Sequence, residues 1–104
     1  MGATNRLTGE FLQQLRGNGG DFLAADKSSY LRLEKVGLQA PARGASVRLA
    51  GVVADRVYQG SHSTYTIDSH GSRIRALVPE GGAAPLVPGA AATLYIDPTA
   101  ILQY

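Results

Sequence analysis

Hydrophobic and polar positions alternate most clearly in the second half of the chain. Val47 to Tyr58, VRLAGVVADRVY, is rich in β-branched residues, and Val47, Leu49, Val53 and Val57 share one parity. Gly51 and Asp55 interrupt that parity, so the pattern predicts a long strand bent or bulged at Gly51. From Thr64 to Asp68, Tyr65 and Ile67 fall on one face, and Thr64, Thr66 and Asp68 on the other. After the turn Ser69-His70-Gly71, the run SRIRALV places Ile74, Ala76 and Val78 inward and Arg73, Arg75 and Leu77 outward. Pro79 to Ala91 carries three prolines and three glycines and reads as a loop. Ala92 to Ile96 is a short strand, Asp97-Pro98 a turn, and Ala100 to Tyr104 a last strand or terminal extension.

The first half has two patterns. In TGEFLQQLR, residues 8 to 16, helical spacing puts Phe11, Leu12 and Leu15 on one face, with Thr8 as a cap and Gly17 as a stop. The wider run NRLTGEFLQQL also permits a strand. Ser29 to Leu38, SYLRLEKVGL, reads as one strand, with Tyr30, Arg32, Glu34 and Val36 on one side and Leu31, Leu33, Lys35 and Gly37 on the other. Ala40 to Ala45 is a loop. Short strands punctuated by glycine and proline predict an all-β fold, a small, partly open antiparallel barrel.

Length and composition fit one domain over residues 1–104 with a core of its own. No apolar run approaches the ~20 residues of a membrane-spanning helix, so no membrane insertion is expected. The N-terminal residues lack the apolar centre of a signal peptide, and the chain has no cysteine; both fit a cytoplasmic setting. The net charge is only +2, and the eight arginines and two lysines are dispersed. Arg73 and Arg75 form the tightest basic pair, which reads as a solvated strand face and not as a nucleic-acid track.

Several chemistries are absent from the sequence. No G-x-x-x-x-G-K-[ST] precedes Lys27 or Lys35, so nucleotide hydrolysis is not expected. There is no G-x-S-x-G elbow, and no catalytic residue is assigned. His62 and His70 could join Asp68 at a metal, but a hairpin puts their turns at opposite ends, so no metal site and no cofactor are expected. The informative stretch is VYQGSHSTYTID, residues 57–68. Tyr58 and Tyr65 are expected near each other across a hairpin. Between them Gly60, Ser61 and His62 form either an ordinary turn or a backbone seat for an anion or small ligand.

The segment GVVADRVYQGSHSTYTIDSHGSRIRALVP, followed by Pro88-Gly89 and LYIDPTAIL, resembles the TOBE domain that closes the ATP-binding subunits of many ABC importers, especially those for polyamines. The matching positions are Gly51, Val53, Tyr58, Gly60, Tyr65, Gly71, Ile74, Pro88, Gly89, Asp97, Pro98 and Ile101. They span residues 47–104. In residues 1–46, which are shortened or divergent, Gly2-Ala3-Thr4-Asn5 is similar to the G-x-x-N that ends the ATPase domain of such subunits. Arg32-Leu33-Glu34-Lys35-Val36 is similar to their R-P-E-K-V, with leucine in place of proline.

The resemblance implies an OB-like barrel with a regulatory, dimer-forming and non-catalytic role, either excised from a larger subunit or standing alone. It implies as partners the nucleotide-binding domain and membrane subunits of a transporter, and a place at the inner face of the membrane. It also implies a strand at residues 8–16 where the local pattern favours a helix; the strand is the expectation, since tertiary pairing overrides a short helical pattern. Kinship with molybdate-binding domains keeps an oxyanion site at the turn as the alternative. A homodimer is expected through strand pairing or exchange of the apolar tail, with Leu102 and Tyr104 at the contact.

Overall fold

The computed structural model describes residues 4–39, 46–79 and 86–104. The loop expected at residues 40–45, most of the loop after Pro79, and Gly2-Ala3 of the G-x-x-N segment lie outside these. Eight strands, one helix and two short 3-10 turns make up the described chain. The strands are β1 (Thr4–Leu7), β2 (Ser29–Arg32), β3 (Val36–Gly37), β4 (Val47–Tyr58), β5 (His62–Ser69), β6 (Ser72–Pro79), β7 (Ala91–Ile96) and β8 (Leu102–Gln103). One antiparallel sheet has the order β3-β7-β4-β5-β6, and a second has the order β1-β2-β8. The 3-10 turn Leu33–Lys35 and β3 pack against β6, so the five-stranded sheet curls into a nearly closed, OB-like barrel.

The four strands expected in the second half are present, because each keeps one apolar parity for the core. Val47, Leu49, Val53, Tyr65, Ile67, Ile74, Ala76, Leu94 and Ile96 are all buried. The bend in β4 does not lie at Gly51. The register with β5 shifts between Val53 and Asp55, which leaves Ala54 as the extra residue. Gly51 has a different role. A Cβ there would lie 2.6 Å from Ile67 Cγ2 and 2.9 Å from the Asp68 carbonyl oxygen, so the close approach of β5 requires glycine. Beyond the bulge the parity of β4 is inverted. Val57, placed inward by the sequence pattern, is half exposed, and Arg56 takes the inward side opposite Tyr65.

The strand expected at residues 8–16 is a helix, α1 (Gly9–Gly17). A strand would send Phe11 and Leu12 to opposite faces, whereas the helix buries Phe11, Leu12 and Leu15 together. Glu10 in its first turn and Arg16 in its last complement the helix dipole. Arg16 Nε also donates to the Leu23 carbonyl at 2.9 Å. Thr4–Leu7, just upstream, supplies the strand in its place.

The single strand expected over residues 29–38 is also broken. The turn at Leu33–Lys35 separates β2 from β3 and carries the chain from the small sheet into the barrel. It moves Val36 off the outward parity of Tyr30 and Arg32, so that Leu31, Leu33 and Val36 are all buried.

Two side-chain amides hold the small sheet in place. Asn5 on β1 is 4% exposed. Its Nδ2 donates to the Arg75 carbonyl at 2.7 Å, and its Oδ1 accepts from the Arg75 N–H at 2.8 Å. Both bonds lie on the edge of β6 away from β5. Gln103 on β8 does the same for Ala24: Oε1 accepts from its N–H at 3.1 Å and Nε2 donates to its carbonyl at 2.9 Å. The tail is therefore paired within its own chain. Tyr30 faces Leu102, and Ser28 and Tyr104 exchange backbone bonds at 3.3 and 3.0 Å.

Asp97 opens the turn Pro98–Ala100, accepting from Thr99 Oγ1 at 2.7 Å and Thr99 N at 3.0 Å. The Thr99 hydroxyl, then its N–H, hold the Asp97 carboxyl below its ordinary range, and the charge of Lys35 acts in the same direction.

Two outcomes are expected. Asn5→Ala strands a buried donor and acceptor and should cost about 2 kcal/mol, or roughly 10 °C in melting temperature. The second concerns Asp97. Its lowered pKa means that the turn's stabilisation is complete above the unfolded carboxylate pKa of about 4. It is lost as pH falls through the lower folded value. Asp97→Ala should cost about 1 kcal/mol near neutral pH. Its melting temperature should converge with that of the unaltered chain as acid is added, read by circular dichroism.

Candidate functional site

The hairpin joining β4 to β5 carries the sequence-predicted residues. Gln59 N–H donates to the His62 carbonyl at 2.7 Å, closing a tight turn over Gly60 and Ser61. Gly60 adopts φ +85°, a conformation that favours glycine. Inside the turn the polar side chains bond to one another. Ser61 Oγ lies 2.9 Å from His62 Nδ1, and Thr64 Oγ1 donates to Gln59 Oε1 at 2.9 Å. Gly60, Ser61 and His62 are exposed. The loop is an exposed turn whose polar groups are largely engaged with each other.

Tyr58 and Tyr65 do not meet as a simple cross-strand pair. The two-residue turn sets Tyr58 opposite Ser63 and Tyr65 opposite Arg56, so the tyrosines are diagonal neighbours on one face of the hairpin. The Arg56 guanidinium lies 5.6 Å from the Tyr58 ring centre and 5.9 Å from that of Tyr65. A cation between two rings replaces the expected aromatic contact.

The two tyrosines then have different roles. Tyr65 is 5% exposed, and its hydroxyl accepts from the Leu86 N–H at 3.2 Å, tying β5 to the segment before β7. Tyr58 is 61% exposed on the Arg56 side of the hairpin end, and half-exposed Val57 points to the opposite face. Arg56 is the residue that the sequence pattern passed over. Its inward position appears only once an extra residue is placed upstream of it, since an unbroken alternation from Val47 sets Val57 inward instead.

His62 and His70 lie at opposite ends of the β5 hairpins. Among the described residues, no group of three or more His, Asp or Glu side chains could hold a metal ion. Asp68 instead faces Arg73 at 3.3 Å on the exposed side of the sheet. Leu102 and Tyr104 are remote from the hairpin, on the outer face of the small sheet, and are 42% and 76% exposed. The Tyr104 ring rests against Tyr30, with centres 5.9 Å apart. No helix among the described residues is long and apolar enough to cross a membrane.

Tyr65→Phe keeps the ring and loses the acceptor for Leu86, and should cost about 1 kcal/mol in urea unfolding. Tyr58→Ala removes a mostly exposed ring and should stay within about 0.5 kcal/mol of the parent. A large loss at Tyr58 would mean that the ring supports the fold and is not a contact surface.

A family model described as the TOBE domain covers residues 30–102. A search of curated proteins finds no match.

Proposed function

The chain belongs to the TOBE domain family, and from that membership we propose that it serves as the regulatory, dimer-forming domain of an ABC importer's ATP-binding subunit, of the polyamine-importing kind. The family is one of small non-catalytic domains associated with ABC transporters. The observation that carries the reading is the hairpin end. Its polar groups are largely engaged with each other, while Tyr58 remains exposed beside Arg56 and Val57 is half exposed on the opposite face, a composition suited to contact with another protein surface. The partners are the nucleotide-binding domain and membrane subunits of the transporter, met at the cytoplasmic face of the membrane.

The oxyanion reading draws on the positive φ of Gly60 and the hydroxyls beside it. It ranks second because Ser61 is already bonded to His62.

Self-association is proposed through Leu102 and Tyr104, the exposed apolar side chains of the last strand. A two-fold contact there also brings Arg6 and Arg32 of both copies together, since these share the outer face of the small sheet. Salt screens that repulsion. In sedimentation equilibrium the dimer should therefore tighten as salt rises and weaken in Leu102→Ser. A chain that stays monomeric at high micromolar concentration in high salt rules out the dimer.

Calorimetry at millimolar ATP should show no saturable binding. Scanning fluorimetry with molybdate, sulfate, phosphate and spermidine should show no specific rise in melting temperature. A rise with molybdate alone would move the assignment to the oxyanion reading, because a ligand that binds only the native state stabilises it by RT ln(1 + [L]/Kd).

A further inference from the structure

The sheet β1-β2-β8 turns Asn5, Leu7, Ser29 and Leu31 towards the core, with Gln103 half buried on the same side. Its other face is open. Register places Arg6, Tyr30 and Leu102 in one row across the three strands, with Arg32 beside Thr4 and the Tyr104 ring against Tyr30. The strands TNRL, SYLR and LQ contain two arginines and no carboxylate. Among the described residues neither Arg6 nor Arg32 has an ion-pair partner. The result is an apolar and aromatic patch with two guanidinium groups on one side that form no ion pair, Arg6 sharing a shallow cavity with Asp26 and Lys27.

We propose that this face is the docking surface for an acidic segment of a partner protein, one that sets an apolar side chain over Leu102 and Tyr104 and a carboxylate on Arg6 or Arg32. Adjacent strands lie about 4.8 Å apart, so Leu102 and Arg6, two strands apart, define an apolar-to-acidic spacing of about 10 Å. Tyrosine and arginine are the residue types that dominate protein–protein contact energy, and guanidinium meets carboxylate bidentately.

A nucleic acid fits less well. It calls for a continuous basic track, whereas here Glu34 follows two residues after Arg32, and Asp26 precedes the nearby Lys27. A second copy of this chain fits less well still, since it presents the same two arginines to the same two arginines. The acidic segment is therefore the preferred occupant, and it competes with the weaker, salt-dependent self-contact proposed for the same face. The inference stands on the small sheet and holds whether or not the domain serves a transporter.

The test uses the full chain with a fluorescent random copolymer of glutamate and tyrosine, followed by anisotropy. Polyglutamate and an oligo-dT strand serve as competitors. Saturable binding is expected, weakened by salt and weakened about fivefold or more by each of Arg6→Gln, Arg32→Gln and Tyr104→Ala. Arg48→Gln, on the exposed side of the barrel, should leave binding unchanged. The arginine variants alter exposed side chains, so they report on the surface even if Tyr104→Ala loosens the last strand.

No saturable binding overturns the proposal, as does binding that the three variants leave intact. Competition by polyglutamate as strong as by the unlabelled copolymer would reduce the surface to a diffuse positive field and overturn its apolar part. Stronger competition by oligo-dT would reassign the face to nucleic acid. Dimerisation measured separately by sedimentation tells a failure of this surface from a failure of the self-association reading.

Discussion

The side-chain amide of Asn5 settles a problem that every open sheet has. A barrel of five strands that does not close by hydrogen bonding leaves an edge with unpaired backbone groups. Here that edge belongs to β6, and at Arg75 one buried asparagine supplies both a donor and an acceptor, as another strand would. The bond pair also carries β1, and with it β2 and β8, onto the barrel. The position requires an amide. An aspartate would repel the Arg75 carbonyl, and an apolar residue would leave two buried polar groups without partners.

The chain uses the same device at its other end, where Gln103 satisfies the N–H and carbonyl of Ala24. Together the two amides explain how a small three-stranded sheet can have one face packed into the core and the other open. The inward face is held by directional bonds as well as by burial of Leu7 and Leu31, so the outward face is free to carry arginine and tyrosine. The hairpin end of β4 and β5 shows the same division between the two tyrosines: Tyr65 is buried and bonded, and Tyr58 is exposed.

The barrel strands were legible because each alternates with one apolar parity and ends at glycine, proline or aspartate. The first half was less so, for two reasons. At residues 8–16 the local helical period competed with a resemblance that implied a strand, and the spacing of Phe11, Leu12 and Leu15 decided the outcome. In SYLRLEKVGL, strict alternation concealed a 3-10 turn, because Leu33 keeps strand parity and only Val36 departs from it. The site suffered from a similar ambiguity. Gly51 and Ala54 are both places where a bulge fits; either puts Arg56 opposite Tyr65, and the choice between them decides whether Val53 or Val52 packs into the core. Asn5 was visible as part of a short motif, yet nothing in its neighbours points to Arg75, 70 residues away.

That separation has a kinetic consequence. The hairpins β4-β5 and β5-β6 join neighbouring segments and can close early. The clamps from Asn5 to Arg75 and from Ala24 to Gln103 span 70 and 79 residues. β1 and β2 pair over only 22 to 28 residues, so it is the docking of the small sheet onto the barrel, and not its own pairing, on which loop-closure entropy is spent last. During that interval the β6 edge is bare, and another chain's strand can occupy it before Asn5 arrives. The stage at which this fold is most exposed to misassembly is thus set by the arrival of one asparagine, well after the barrel hairpins have formed.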